Sequence, residues 1–252
     1  TVGTVPVLGS AIAAGRKRAN SQFNLAARNR ALNPIGETSD IGAIGDAGIY
    51  AVKDKLSIAY DNILKKVMLT PDGQLMDDIA DVVSEAKKNI GPDASSSLDR
   101  IIENQVIPHI DAPIMGEKFK EVTSALGGYG RNFGKSPDPD HRIVGNAVSK
   151  VRKAFKNALA RTNPNHASRL DSIDEGFANY ARLRATQKAV KSGEDPTPSQ
   201  LATGVRSEDK SVGQGASATG TALMQDLSSA GMRVLGDKVR SSGTMERGAV
   251  LG

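Results

Sequence analysis

The sequence has no cysteine and no tryptophan, and only five Phe and four Tyr among 252 residues. Without cysteine there is no disulfide framework, no thiolate metal site and no cysteine nucleophile. The three histidines, His109, His141 and His166, are scattered, and none has a second histidine at metal-ligand spacing. No cofactor is therefore expected. The longest apolar runs extend a few residues, far short of the roughly 20 that a membrane-spanning helix needs. No signal-peptide pattern is present. A chain this long can bury a sizeable core, but that core must be made of Ala, Val, Ile and Leu.

Catalytic signatures are missing as well. Residues Tyr129 to Ser136 (YGRNFGKS) resemble a phosphate-binding loop, but Tyr129 stands where the first glycine is required. A helical pattern precedes the segment and Pro137 follows it, so a Gly-rich hinge is the expectation. Gly215-Ala-Ser-Ala is followed by Thr219, which rules out a nucleophile elbow. Acidic neighbours such as Asp77-Asp78 and Asp174-Glu175 are ordinary on helix surfaces. The chain is expected to be no enzyme within these residues.

What the sequence does have is helical periodicity. Ile49, Val52, Leu56, Tyr60, Ile63 and Val67 step by three and four from Asp46, one stripe of an amphipathic helix. Pro71-Asp72 breaks that helix and starts the next, which carries Leu75, Ile79, Val82, Val83 and Ala86. Asp93 introduces Leu98, Ile101, Ile102 and Val106, closed by Pro108. Further helices are expected near Ser10 to Leu32, Gly116 to Leu126, Asp140 to Arg161, Asn165 to Val190 and Ala222 to Leu235. No segment alternates with period two. The fold expected is all-α, an elongated multi-helix bundle with Gly-rich linkers. Its segments are a basic helix and linker (1–45), a bundle core (46–191), a flexible linker (192–221) and a C-terminal helix and tail (222–252). The opening Thr-Val-Gly-Thr and the closing Gly248-Ala-Val-Leu-Gly252 suggest the middle of a longer polypeptide, or a trimmed one.

Charge is strongly partitioned. Residues 1–36 hold five basic side chains and no acid, and residues 141–170 hold seven and no acid, whereas 37–140 hold 11 basic and 18 acidic. The overall +5 thus conceals an acidic body with two basic helices. Arg142, Lys150, Arg152, Lys153, Lys156 and Arg161, together with Arg16, Lys17 and Arg18, are the candidates for facing DNA. At about 100° per residue, Arg152, Lys153, Lys156 and Arg161 lie opposite Val144, Val151, Phe155 and Leu159. Such a face suits sequence-independent, salt-sensitive contact with phosphates. The alternative is a solvated face, or one paired with acidic helices of the same or a neighbouring subunit. Ala-rich helix faces allow close approach and suit assemblies of many copies, or simply a small-residue core.

Three stretches carry a resemblance. They are Phe23 to Gly36 (FNLAARNRALNPIG); Arg161-Thr-Asn-Pro with Ile173 to Arg182 (IDEGFANYAR); and Ala222 to Gly231 (ALMQDLSSAG) with Val234 to Val239 and Ser242-Gly-Thr244. Together they resemble the internal virion, or DNA-ejection, proteins of tailed bacteriophages. The resemblance implies an all-α, homo-oligomeric structural protein packaged in the virion and delivered to the host envelope, helping to form a conduit for DNA. It implies partners among portal, tail or other ejection proteins, weak contact with phage DNA, and contact with the host envelope through other regions. A static head–tail or tail component, and a sequence-independent nucleic-acid-binding module, are the alternatives. The resemblance transfers no functional residues.

Overall fold

The structure, a computed structural model, describes residues 5–187, 190, 193–209 and 215–236, and for 5–13 the backbone alone. The fold is all-α: among the described residues ten α-helices accompany one two-residue strand pair. The chain forms two units, one of residues 1–58 and 172–252 and one of residues 59–171. The helical segments expected to be separate at the two chain ends therefore share a unit.

In the first unit, α1 (Val5–Leu32) begins before the expected Ser10 and ends at the expected Leu32, where Asn33-Pro34 stops it; a 3₁₀ turn follows at Asn33–Ile35, and Gly36 closes it at φ 73°. That left-handed conformation favours glycine. Here α2 (Gly45–Leu64) buries Ile49, Val52 and Leu56. The part of α7 (Pro164–Thr186) that belongs to this unit, from Ser172 on, approaches closely at Gly176, where a Cβ would lie 2.5 Å from Leu56 Cδ2 and 2.9 Å from the Ala31 carbonyl oxygen. It ends at Thr186, short of the expected Val190.

The expected flexible linker over 192–221 is corrected. Helix α8 occupies Pro198–Asp209 and buries Leu201 and Val205, and a short α9 spans Ala216–Thr219. Gly204 reads as a breaker in sequence, yet it lets α8 pack on α7, since a Cβ there would meet the Arg182 carbonyl oxygen at 2.7 Å. Packing outweighs the propensity cost of about 1 kcal/mol. The last helix, α10 (Gln225–Leu235), starts after Met224, which adopts φ 65°, rather than at Ala222. It packs on α1 and α8, with Gly231 against the Phe23 ring. Residues 210–214 of the expected linker and the tail beyond 236 lie outside the described residues.

In the second unit, α3 (Gly73–Lys87), α4 (Pro92–Gln105) and α5 (Gly116–Gly134) surround α6 (Pro139–Thr162). Asp72 caps α3 by accepting from Leu75 N at 2.8 Å, the role its position after Pro71 predicts. The two strands, β1 (Met68–Leu69) and β2 (Ile114–Met115), are antiparallel with Met68 opposite Met115. Helix α6 buries Val144, Ala147, Val148, Val151, Ala154, Phe155, Ala158 and Leu159, a core of small and branched side chains as the composition requires.

The helix end expected at Leu126 and the Gly-rich hinge expected from Tyr129 are also corrected, because α5 continues to Gly134. Gly130 lies against Ser149 of α6, at 2.5 Å from its Oγ to a built Cβ, and a Cβ on Gly145 would strike the Gly134 backbone. These glycines serve a close helix crossing, and they stay helical because the neighbour needs the room.

Candidate polyanion-binding surfaces

The exposed line of α6 runs through Arg142, Asn146, Lys150, Lys153, Asn157 and Arg161, at spacings of three and four. It is opposite the buried face, as the helical geometry requires. The six basic candidates on this helix are not equivalent, however. Arg161 donates from Nε to Asp72 Oδ2 at 3.1 Å and from Nη2 to Oδ1 at 2.8 Å. This pairing lowers the Asp72 pKa and raises that of Arg161, so its charge is largely neutralised within the unit. Arg142 donates to the Ser136 and Pro137 carbonyl oxygens at 3.2 and 2.7 Å and remains exposed.

Arg152 is half-buried, with its Nε within 3.3 Å of a Cβ built on Gly127, and that Nε has no hydrogen-bond partner. Lys156 is half-buried too. Lys150 and Lys153 are exposed and form no ion pair among the described residues. Of the contiguous face expected from Arg152, Lys153, Lys156 and Arg161, only Lys153 is both exposed and without an ion pair among the described residues, and it lies in line with Lys150 and Arg142. Alongside it, α3 carries Asp77, Asp78, Asp81 and Glu85, which weakens the positive field.

The second basic surface lies on α1, in the other unit. Arg16, Lys17 and Arg18 are exposed, and none of them is ion-paired among the described residues. Arg28, from the same basic segment, is buried instead. It donates from Nε to Ser39 Oγ at 2.9 Å and from Nη1 to Asp195 Oδ1 at 3.5 Å. Burial lowers its pKa, opposed by Asp195 and then Asp40. Asp195 also accepts from Gly45 N at 2.8 Å, so one carboxylate ties the chain before α8 to both α1 and the start of α2.

Sequence reasoning missed one surface. Ile44, Ala47, Tyr50, Asp54 and Ile58 form an outward line along the start of α2 and the residue before it, with Ile44, Tyr50 and Ile58 exposed by 53%, 56% and 62%. The signal was available: Tyr50 and Ile58 are apolar residues off the Ile49, Val52, Leu56 stripe. Among the described residues no group of three or more His, Asp or Glu is arranged to hold a metal ion. Likewise, among them no helix is long and apolar enough to cross a membrane. A groove of about 380 Å³ between α8 and α10 is lined by Ala202, Val205, Arg206, Ser217, Gln225 and Met232.

No family model, curated protein or solved structure matches the chain.

Proposed function

We propose that this chain is a structural phage protein, packaged in the particle as a helical oligomer and ejected to help build a conduit for DNA across the host envelope. The observation that carries the reading is the exposed apolar line Ile44, Tyr50, Ile58, in a unit that also exposes Ile41 and Val234. Large apolar side chains exposed singly are ordinary on monomeric proteins, whereas several along one line of a helix suit a surface that another protein covers. The sequence resemblance supplies the setting, and two units closed by small-residue helix crossings supply parts suited to repetition. The chain acts by assembly rather than by catalysis, with portal, tail or other ejection proteins as its neighbours. Short basic surfaces, Lys150 with Lys153 and Arg16 to Arg18, suit a wall that DNA passes without being gripped. Quantitative proteomics of purified particles tests the reading: many copies per particle are expected, and absence from the particle overturns it.

A second reading is a sequence-independent nucleic-acid-binding module, favoured by the three consecutive exposed cations on α1. Tight duplex binding by a stable monomer at physiological salt would decide for it.

A further inference from the structure

Residues Ala14 to Arg18 of α1 are exposed at five consecutive positions, which covers every face of a helical turn. The first buried side chain described in the helix is Phe23. From Ala14 to Gln22 the helix thus runs about 13 Å without burying a side chain. A helical segment so placed receives little support from its own unit, and isolated helical turns are marginal in water. The residues before it in the same helix read Val-Pro-Val-Leu-Gly-Ser-Ala-Ile-Ala, apolar in composition, and Arg16, Lys17 and Arg18 follow them.

The outward line of α2 has the complementary character. Ile44, Tyr50 and Ile58 supply apolar surface at helical spacing, and exposed Asp40 and Asp54 supply negative charge beside it. Residues 37–58 contain four acids, Glu37, Asp40, Asp46 and Asp54, against two bases, Lys53 and Lys55. Glu37 is already held by Lys55 at 3.0 Å, and Asp46 accepts from Gln187 at 2.9 Å. That leaves Asp54 as an exposed acid with no ion pair among the described residues, while Asp40, also exposed, supports the charge of buried Arg28. Such a face offers a polyanion little attraction, whereas an apolar helix bearing cations fits it.

We infer that the basic start of α1 docks along the Ile44–Ile58 line of α2 on a second copy of this chain. The inference rests on reading the protein as an assembling one, and it names the surface. Both halves of the contact lie on different parts of one unit, so two copies can exchange them reciprocally in a two-fold dimer or pass them on head-to-tail. The head-to-tail form closes into a ring or continues as a filament, according to the rotation per copy.

The absence of cysteine gives a direct test. Full chains carrying Lys17→Cys or Asp54→Cys are mixed under mild oxidation. A disulfide-linked dimer of the two different variants, exceeding either self-pair severalfold, is expected; only self-pairs, or no dimer, overturns the inference. Sedimentation velocity supplies the second readout. Ile58→Asp and the triple reversal R16E/K17E/R18E should each abolish self-association with unchanged helical content, and adding D54K to the triple reversal should partly restore it. If the triple reversal removes duplex binding and leaves sedimentation unchanged, the cations serve nucleic acid and the inference fails. A mixed disulfide without the chain in particles would defeat the phage reading alone; many copies in particles without the disulfide would defeat this surface alone.

Discussion

Arg161, at the end of α6, holds Asp72, the N-cap of α3, through two hydrogen bonds of 3.1 and 2.8 Å. One carboxylate therefore caps a helix and neutralises a cation, which removes Arg161 from the basic surface and fastens two helices of the unit. The pair is about one-third exposed on each side, so its direct electrostatic contribution is small. The cap is the larger part. Asp72→Asn retains a capping oxygen and should cost less than Asp72→Ala, which should lose about 1 kcal/mol in urea unfolding.

The same residue gives a pH dependence of known sign. The Asp72 pKa is lowered in the folded state, first by its hydrogen bond from Arg161. Its stabilisation is present above the unfolded carboxyl value of about 3.9 and is lost as pH falls through the folded value. Asp72→Asn should therefore narrow its stability deficit against the parent chain below about pH 4. Equal slopes for the two proteins in that range would contradict the assignment.

The glycines of the α5–α6 crossing separate by their neighbours. Gly145→Ala forces a Cβ into the Gly134 backbone, and overpacking of this kind costs about 1–3 kcal/mol. Gly128 lies in the same run of α5 with nothing within 4 Å of a built Cβ. Gly128→Ala should stabilise by roughly 0.5–1 kcal/mol through helix propensity. Thermal melts of both variants check the contrast, and a destabilised Gly128→Ala would mean that the helix does not continue through this segment.

These positions also explain how much was legible in the sequence. The buried stripe of α2, the Asp72 cap and the stop at Asn33-Pro34 each follow from local chemistry, and each reappears in the fold. Gly127, Gly130 and Gly204 read locally as breakers, because the reason they stay helical lies on another helix, at Arg152, Ser149 and Arg182. The basic face of α6 was legible as periodicity. The loss of Arg161 to a carboxylate 89 residues away, and the settling of Arg152 over Gly127, depend on tertiary placement that periodicity does not carry.

Arg28 and Asp195 form a buried pair, with side chains 4% and 11% exposed. Removing one partner strands the other, so Asp195→Ala should destabilise the first unit by about 3 kcal/mol or more. Arg28→Met, which removes the buried charge itself, should cost less. Hydrogen exchange should show the loss in α1 and α8 and leave α6 protected; uniform loss across the chain would contradict two separable units.

DNA binding offers a contrast within one helix. The chain should bind duplex weakly, with affinity collapsing between about 50 and 200 mM salt. Lys150→Glu with Lys153→Glu should reduce binding several-fold and flatten the salt slope, while Arg161→Ala should change it less than about twofold because that charge is already paired. Fluorescence anisotropy across a salt series distinguishes these outcomes, and equal effects from both variants would refute the placement of the surface.

The central claim is that the chain is a packaged structural protein that leaves the particle with the genome. Its most direct test is the ratio of this chain to the major capsid protein in full particles and in particles emptied by triggered DNA release. The account predicts many copies in full particles and near-complete loss from emptied ones. An unchanged ratio would contradict ejection and leave a fixed structural component in its place.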